Sequence, residues 1–132
     1  MKYSIVIPVY NEEKFILQVL KNINTQKENF DLEIIVIDDG STDNTKQILK
    51  NHSSLYDYLI ENSSNQGKGK SIINSLKYIS GDYILIQDAD LEYNPEDYKK
   101  LIDPIIQYKA DVVYGSRFKG SEPKRIIYFS NR

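Results

Sequence analysis

The sequence predicts an α/β domain whose mostly parallel sheet is flanked by helices. Three observations predict it. Short apolar runs rich in β-branched residues recur along the chain, and runs apolar at every position suit strands buried on both faces. Amphipathic helical stripes of about 8–15 residues separate the runs. Turn and cap residues mark the joins, as right-handed β-α-β crossovers require.

In order, the first run is Ile5-Val6-Ile7, closed by Pro8. Phe15, Ile16, Val19, Leu20 and Ile23 then form a helical stripe. The second run is Ile34 to Ile37. A short helix over about residues 43–50 follows, with Ser41 or Thr42 as its cap. Leu59-Ile60 is a weaker strand candidate. Ile72, Ile73, Leu76 and Ile79 make the next stripe, and Ile84-Leu85-Ile86 the next strand. Asn94 as N-cap and Pro95 at the first helical position open a third stripe, Tyr98, Leu101, Ile102, Ile105 and Ile106. Pro104 inside that stripe is expected to kink or split the helix. Val112-Val113-Tyr114 is expected to be the last strand.

The chain has 132 residues, one domain by size. Its 40% hydrophobic and 27% charged residues are ordinary for a globular protein. No apolar run reaches the ~18 residues that cross a bilayer. The opening residues, Lys2-Tyr3-Ser4 and a short apolar run ended by Pro8, do not form a signal-peptide pattern. Cysteine is absent and His52 is the single histidine, which excludes disulfides and argues against thiolate, zinc and haem chemistry. These features fit the cytoplasm.

The net charge of −2 is too small for a nucleic-acid binder, but it is unevenly spread. Residues 1–116 carry 12 lysines and 18 acids, whereas residues 117–132 carry five basic residues, including all three arginines, against one acid. That basic stretch, with Phe118, Tyr128 and Phe129, reads either as a solvated tail or as a face for an anionic ligand or membrane surface.

In parallel sheets ligands collect at the carboxyl ends of the strands. Pro8, Tyr10, Asn11 and Glu12 follow the first run, and Asp38-Asp39-Gly40-Ser41 the second. Asp88, Asp90 and Glu92 follow Ile84-Leu85-Ile86, and Ser116 and Arg117 follow the last. Four loops thus place acids and one arginine on one edge, the pattern of a site that handles metal and phosphate.

Asp88-Ala89-Asp90-Leu91-Glu92 sets three hard oxygen donors at alternate positions, which suits Mg²⁺ or Mn²⁺ when a diphosphate completes the coordination. An EF-hand loop is excluded, because Tyr93 stands where glycine is required and Lys99 where glutamate is expected. Gly67-Lys68-Gly69-Lys70-Ser71 is not a P-loop, since Ser64 occupies the place of its first glycine. It reads as backbone N–H groups offered to an anion at a helix start, or as a flexible helix entry. Asp38-Asp39-Gly40-Ser41 reads as a turn into a helix cap, or as an acid pair binding a base or ribose.

Four segments carry a family resemblance: Ser4 to Glu13, Ile35 to Asp43, Gly81 through Asp90, and Ala110 to Phe118. Together they resemble family-2 glycosyltransferases of the GT-A fold, a Rossmann-like nucleotide-diphospho-sugar transferase fold. The likeness is greatest to polyprenyl- and dolichyl-phosphate mannosyl- and glucosyltransferases. It implies that Pro8, Tyr10, Glu12, Ile37 and Asp39 hold the base and ribose of a nucleotide sugar. Asp88 and Ala89 would line the donor, Asp90 and Glu92 would ligate Mg²⁺ or Mn²⁺ beside Asp88, and Arg117 would meet the diphosphate. Glu92 replaces a glutamine common in the family and adds charge.

The implied reaction is inverting transfer of a hexose from a UDP- or GDP-sugar to a polyprenyl phosphate at the cytoplasmic face of a membrane. Family members continue well past this length into acceptor-binding segments. Residues 1–132 are therefore expected to form a single donor-binding domain truncated in its acceptor part, with Lys124 to Phe129 as an unfinished interfacial helix. Two other readings are a non-catalytic nucleotide-sugar-binding fragment and a receiver-type phosphorylation domain. A receiver carries its acid pair after the first strand and a lysine after the fifth, whereas Asp38-Asp39 follows the second run here. The sequence does not fix the base, the sugar or the oligomeric state.

Overall fold

The computed structural model describes residues 1–115 and the backbone of residues 128–130. Strand β1 (Lys2–Val9) leads to helix α1 (Ile16–Thr25), strand β2 (Asp31–Asp38), helix α2 (Thr45–Asn51) and strand β3 (Tyr58–Glu61). Helix α3 (Lys68–Ser75), strand β4 (Tyr83–Ile86), helix α4 (Tyr98–Tyr108) and strand β5 (Tyr128–Ser130) complete the order. The sheet runs β3-β2-β1-β4-β5, with the first four strands parallel and β5 antiparallel on β4. This is the expected α/β architecture, and the weak candidate Leu59-Ile60 is a true strand.

The sheet is buried on both faces, which explains runs without polar alternation. Ile5, Ile7, Ile34, Val36 and Leu85 face Ile16, Leu20 and Ile23 of α1, Leu49 of α2, and Tyr98, Ile102 and Ile105 of α4. Val6, Ile35, Ile37 and Ile84 face the other way, against Ile72, Tyr78 and Ile79. At roughly 1.5–3 kcal/mol per buried aliphatic side chain, these two layers supply most of the drive to fold. Among the described residues, no helix is long and apolar enough to cross a membrane.

Several expectations are corrected. Val112-Val113-Tyr114 is not a strand: only Tyr114 makes a bridge, and Val112 and Tyr114 are exposed. The place beside β4 is taken by β5, so Tyr128 and Phe129 lie in an extended strand rather than an interfacial helix. Lys124 to Ile127 fall outside the described residues. Pro104 does not split α4, which continues to Tyr108 and stops at Lys109 in the left-handed conformation (φ 53°). Asn94 does act as an N-cap, its side chain accepting from the Glu96 N–H, but it caps a short turn, Pro95–Asp97, that feeds into α4.

Ser41 and Thr42 do not cap α2, because both are drawn to Asn11. Instead Asp43 accepts from the Thr45 N–H and Glu13 from the Asn44 N–H. In the stripe of residues 72–79, Ile73 and Leu76 are exposed, and the buried residues of α3 itself are Ser71 and Ser75.

Candidate active site at the carboxyl edge of the sheet

The parallel register brings three strand ends level. Val9 pairs with Asp38, which in turn pairs with Glu61. The ladder continues one step into the loops. The Asp39 N–H donates to the Val9 carbonyl and the Asn62 N–H to the Asp38 carbonyl, at 2.8 and 2.9 Å. On the other side of β1, the Gln87 N–H donates to the Val6 carbonyl at 2.9 Å. Loops 10–13, 39–44, 62–67 and 87–93 therefore leave the sheet along one edge. Asp39 and Asp90 share that edge, as expected.

Asp39 is buried at its centre. One carboxylate oxygen accepts from the Asn62 amide and the Gln66 N–H, and the other from the Gly67 N–H, each at 2.9 Å. Burial alone would raise its pKa. The donors of Asn62, Gln66 and Gly67 outweigh that and hold it below the usual carboxylate range. Gly40 makes the close approach possible. It takes φ 75°, and a Cβ there would lie 2.6 Å from the Ser64 carbonyl carbon. Gly67, at φ 91°, turns its N–H toward Asp39 and opens α3.

A cleft of about 260 Å³ lies beside Asp39, lined by Pro8, Val9, Tyr10, Asn65, Gly67 and Lys68. Of the residues expected to hold a base and ribose, Pro8, Tyr10 and Asp39 meet here. Ile37 does not: its side chain is fully buried in the core beneath α3. Its contribution is to hold β2 in place.

Glu12 is half-buried beyond Tyr10. Its pKa is raised, first by burial and then by the negative charges of Asp90, Asp43 and Asp88. Acids from two other loops thus act on Glu12. Asp88 is paired with Lys68 of α3, and an Asp90 oxygen accepts from the Glu92 N–H at 3.1 Å. Ala89 and Tyr93 are buried and pin this loop, leaving Asp88 and Asp90 half-buried and Glu92 exposed. Among the described residues, no three acids or histidines lie close enough to hold an ion by themselves. The donor set nonetheless fits a magnesium-like ion, which takes one or two carboxylates and completes its shell with substrate phosphates. Arg117 lies outside the described residues.

Residues given no site role from the sequence also build the edge. The Asn11 side chain accepts from the Thr42 and Asp43 N–H groups, and the Thr45 hydroxyl takes the Glu12 N–H. These bonds fasten the loop after β1 to the loop after β2. The Asn11 backbone takes φ 50°, which asparagine tolerates better than most residues. Asn62 was legible in principle, since it directly follows the weak strand Leu59-Ile60 and the strand-end rule applies to it equally.

Known proteins resemble this chain over nearly its whole length. A dolichol-phosphate mannosyltransferase from Pyrococcus furiosus is 34% identical over 119 residues, covering 89% of this chain and 34% of its own. A UDP-N-acetylglucosamine–dolichyl-phosphate N-acetylglucosaminyltransferase from Methanococcus voltae is 36% identical, covering 87% of this chain and 51% of its own. The chain thus spans about half or less of these relatives. Among solved structures, S. aureus TarS 1-349 in complex with UDP-GlcNAc superposes with a TM-score of 0.75 at 25% identity, over 98% of this chain and 45% of that one. The Pyrobaculum calidifontis mannosyltransferase PcManGT, in complex with GDP-Man and Mn²⁺, shares the fold with a TM-score of 0.74 at 21% identity, over 97% of this chain and 44% of that one. Residues 4–132 match the glycosyl transferase family 2 pattern, and the chain belongs to that family.

Proposed function

We propose that this chain is the donor-binding part of an inverting, metal-dependent hexosyltransferase that uses a UDP- or GDP-sugar and a polyprenyl phosphate acceptor. The observation that carries the reading is the convergence of Asp39, Glu12 and the Asp88–Glu92 loop on one sheet edge beside the cleft at Pro8 and Tyr10. The dolichyl-phosphate transferases among its relatives support the acceptor class.

Donors from Asn62, Gln66, Gly67 and Ser71 hold the Asp39 carboxylate in place at the cleft wall, where it would also take an N–H or O–H of the base or ribose. Pro8 and Tyr10 give the base apolar walls. Asp90, with Asp88 and Glu92 beside it, would hold Mg²⁺ or Mn²⁺. That ion supplies Lewis-acid stabilisation of the departing diphosphate when bound. Lys68 stands where a diphosphate bound between Asp39 and Asp88 would meet an ammonium, and Arg117 would add a second cation. A phosphate monoester acceptor is already anionic at neutral pH and needs no general base. The protein's task is then to orient acceptor and donor and to exclude water.

Calorimetry with UDP and GDP, in Mn²⁺ and in EDTA, tests the reading. Binding should be steep in metal, with UDP slightly favoured. Equal affinity in EDTA would refute the carboxylate assignment. Failure of the whole protein to transfer sugar from a bound donor to polyprenyl phosphate would refute the acceptor class.

A further inference from the structure

We infer that Gln87 is the positioning residue of the acidic loop, a buried amide that closes residues 88–93 into a clasp and sets where its carboxylates stand. The inference rests on the proposed role of that loop in holding a donor-bound divalent ion.

Gln87 is the first residue past β4 and is fully buried, as is Tyr98 of α4. Its backbone N–H is fixed to β1 through the Val6 carbonyl. Its side-chain amide donates to the Asp88 carbonyl at 3.2 Å and to the Tyr93 carbonyl at 3.4 Å, the first and last residues of the loop. Its oxygen accepts from the Tyr98 hydroxyl at 2.9 Å. A carboxamide has two N–H donors, and both carbonyls they reach belong to the loop.

A hydrocarbon would be the less costly choice at this position. The run Ile84-Leu85-Ile86 leads straight into it, and the surrounding core of Leu85, Tyr98 and Ile102 is apolar. Burying an amide is unfavourable unless its polar atoms are bonded. Here the bonds tie together the two ends of the segment that carries Asp88, Asp90 and Glu92, and Ala89, next to Asp88, is buried. Gln87 touches no substrate. It acts by keeping the carboxylates from spreading when a cation and diphosphate arrive, and Tyr98 keeps the Gln87 amide turned the right way.

The test measures Mn²⁺ affinity by the loss of the free-ion EPR signal in the presence of UDP, alongside UDP affinity in EDTA. Gln87→Met should weaken Mn²⁺ binding about tenfold or more, the usual cost of losing an outer partner of metal ligands, and leave UDP binding in EDTA unchanged. Gln87→Glu should act in the same direction, because a carboxyl group there, ionised or protonated, still accepts from Tyr98 but donates to at most one of the two carbonyls. Tyr98→Phe should give a smaller loss of the same kind. It serves as the variant of record if Gln87→Met does not fold. Hydrogen exchange of the amides of residues 88–93 should quicken in each variant. A purely structural role would lower the melting temperature and leave Mn²⁺ affinity of the folded protein unaltered, and that result overturns the inference while the proposed function stands. Absence of Mn²⁺ binding by the unaltered chain overturns both.

Discussion

Lys68, the first residue of α3, forms an ion pair with Asp88, the first acid after β4. The two come from loops on either side of β1, and Lys68 also lines the cleft beside Asp39. An ammonium so placed supplies a positive charge where the loop's carboxylates gather. In the proposed reaction Lys68 would offer this charge to a donor phosphate, and Asp88 would stand among the carboxylates that hold the ion.

Replacing Lys68 by methionine should therefore have two effects of opposite sign. Mn²⁺ alone should bind more tightly, because Asp88 is released from its partner. UDP in the presence of Mn²⁺ should bind more weakly, because the diphosphate loses a cation. Titrations of Mn²⁺ alone, and of UDP at saturating Mn²⁺, check both. A change of the same sign in the two would show that Lys68 contacts only Asp88.

Asp90→Ala removes the acid expected to be the principal metal ligand without touching the core, since Asp90 is half-buried and accepts from the Glu92 N–H. UDP affinity in Mn²⁺ should fall to the value that the unaltered chain shows in EDTA, and adding EDTA to the variant should change nothing further. Persistent metal dependence in Asp90→Ala would move the ion to other ligands.

The low pKa of Asp39 has its own consequence. Burial would raise it, and the Asn62, Gln66 and Gly67 donors overcome that, so the carboxylate keeps its charge as the pH falls through the usual range. Uridine binding in EDTA should accordingly persist at acid pH. In Asn62→Ala one donor is lost, so protonation of Asp39, and with it the decline of uridine binding, should begin at a higher pH. Superimposable pH profiles would mean that Asp39 does not contact the nucleoside.

Much of this edge was legible in the sequence, and the reason is periodicity. Runs such as Ile34 to Ile37 without a polar face demand burial on both sides, which demands a parallel sheet, and a parallel sheet collects its loops at one end. Asp39, Glu12 and the Asp88–Glu92 loop follow from that alone. Bonds between loops distant in sequence were not legible. Asn11 to Thr42, Asn62 to Asp39 and Lys68 to Asp88 join side chains that any polar loop residue could supply, and only the register fixes which ones meet. The fifth strand was misplaced for a related reason. Val112-Val113-Tyr114 has the composition of a strand, but propensity is a weak guide where edge pairing decides, and β5 pairs with β4 instead. Pro104 misled because a proline removes one helical hydrogen bond, a cost that the buried face of α4 at Leu101, Ile102 and Ile105 outweighs.

Gly40 couples the fold to the site. A side chain there meets backbone, the Ser64 carbonyl carbon at 2.6 Å and the Asn65 nitrogen at 2.8 Å, and the positive φ adds strain. Gly40→Ala should therefore push loop 62–67 away from Asp39, costing stability by roughly 1–3 kcal/mol and weakening uridine binding together. Urea unfolding and a uridine titration on the same preparation check the pair. Normal uridine affinity in the destabilised variant would show that Asp39 keeps its partners without the close approach.

At the opposite end of the sheet Glu33 is a buried acid that the proposed reaction does not use. It accepts from the Ser4 hydroxyl, from the Ser80 N–H and hydroxyl at 2.6 Å, from the Gly81 N–H at 3.2 Å, and from the Lys2 ammonium at 3.0 Å. These bonds fasten the turn before β4 to β1 and β2. Burial would raise the Glu33 pKa, but the Ser4, Ser80 and Lys2 donors outweigh it and bring it from an ordinary 4.5 down to about 2. Because the folded pKa is the lower one, the stabilisation is complete above the unfolded value, is lost as the pH falls toward the folded one, and is gone below both. By that linkage Glu33 is worth about 3 kcal/mol at neutral pH. Glu33→Gln should thus be clearly less stable than the unaltered chain at pH 7, and the gap should close between about pH 4.5 and about pH 2, the interval set by the two pKa values. Urea midpoints across that interval provide the check. A gap that stays constant down to the acid end would mean that the network stabilises the fold through the size and neutral hydrogen bonds of residue 33, with no contribution from its charge.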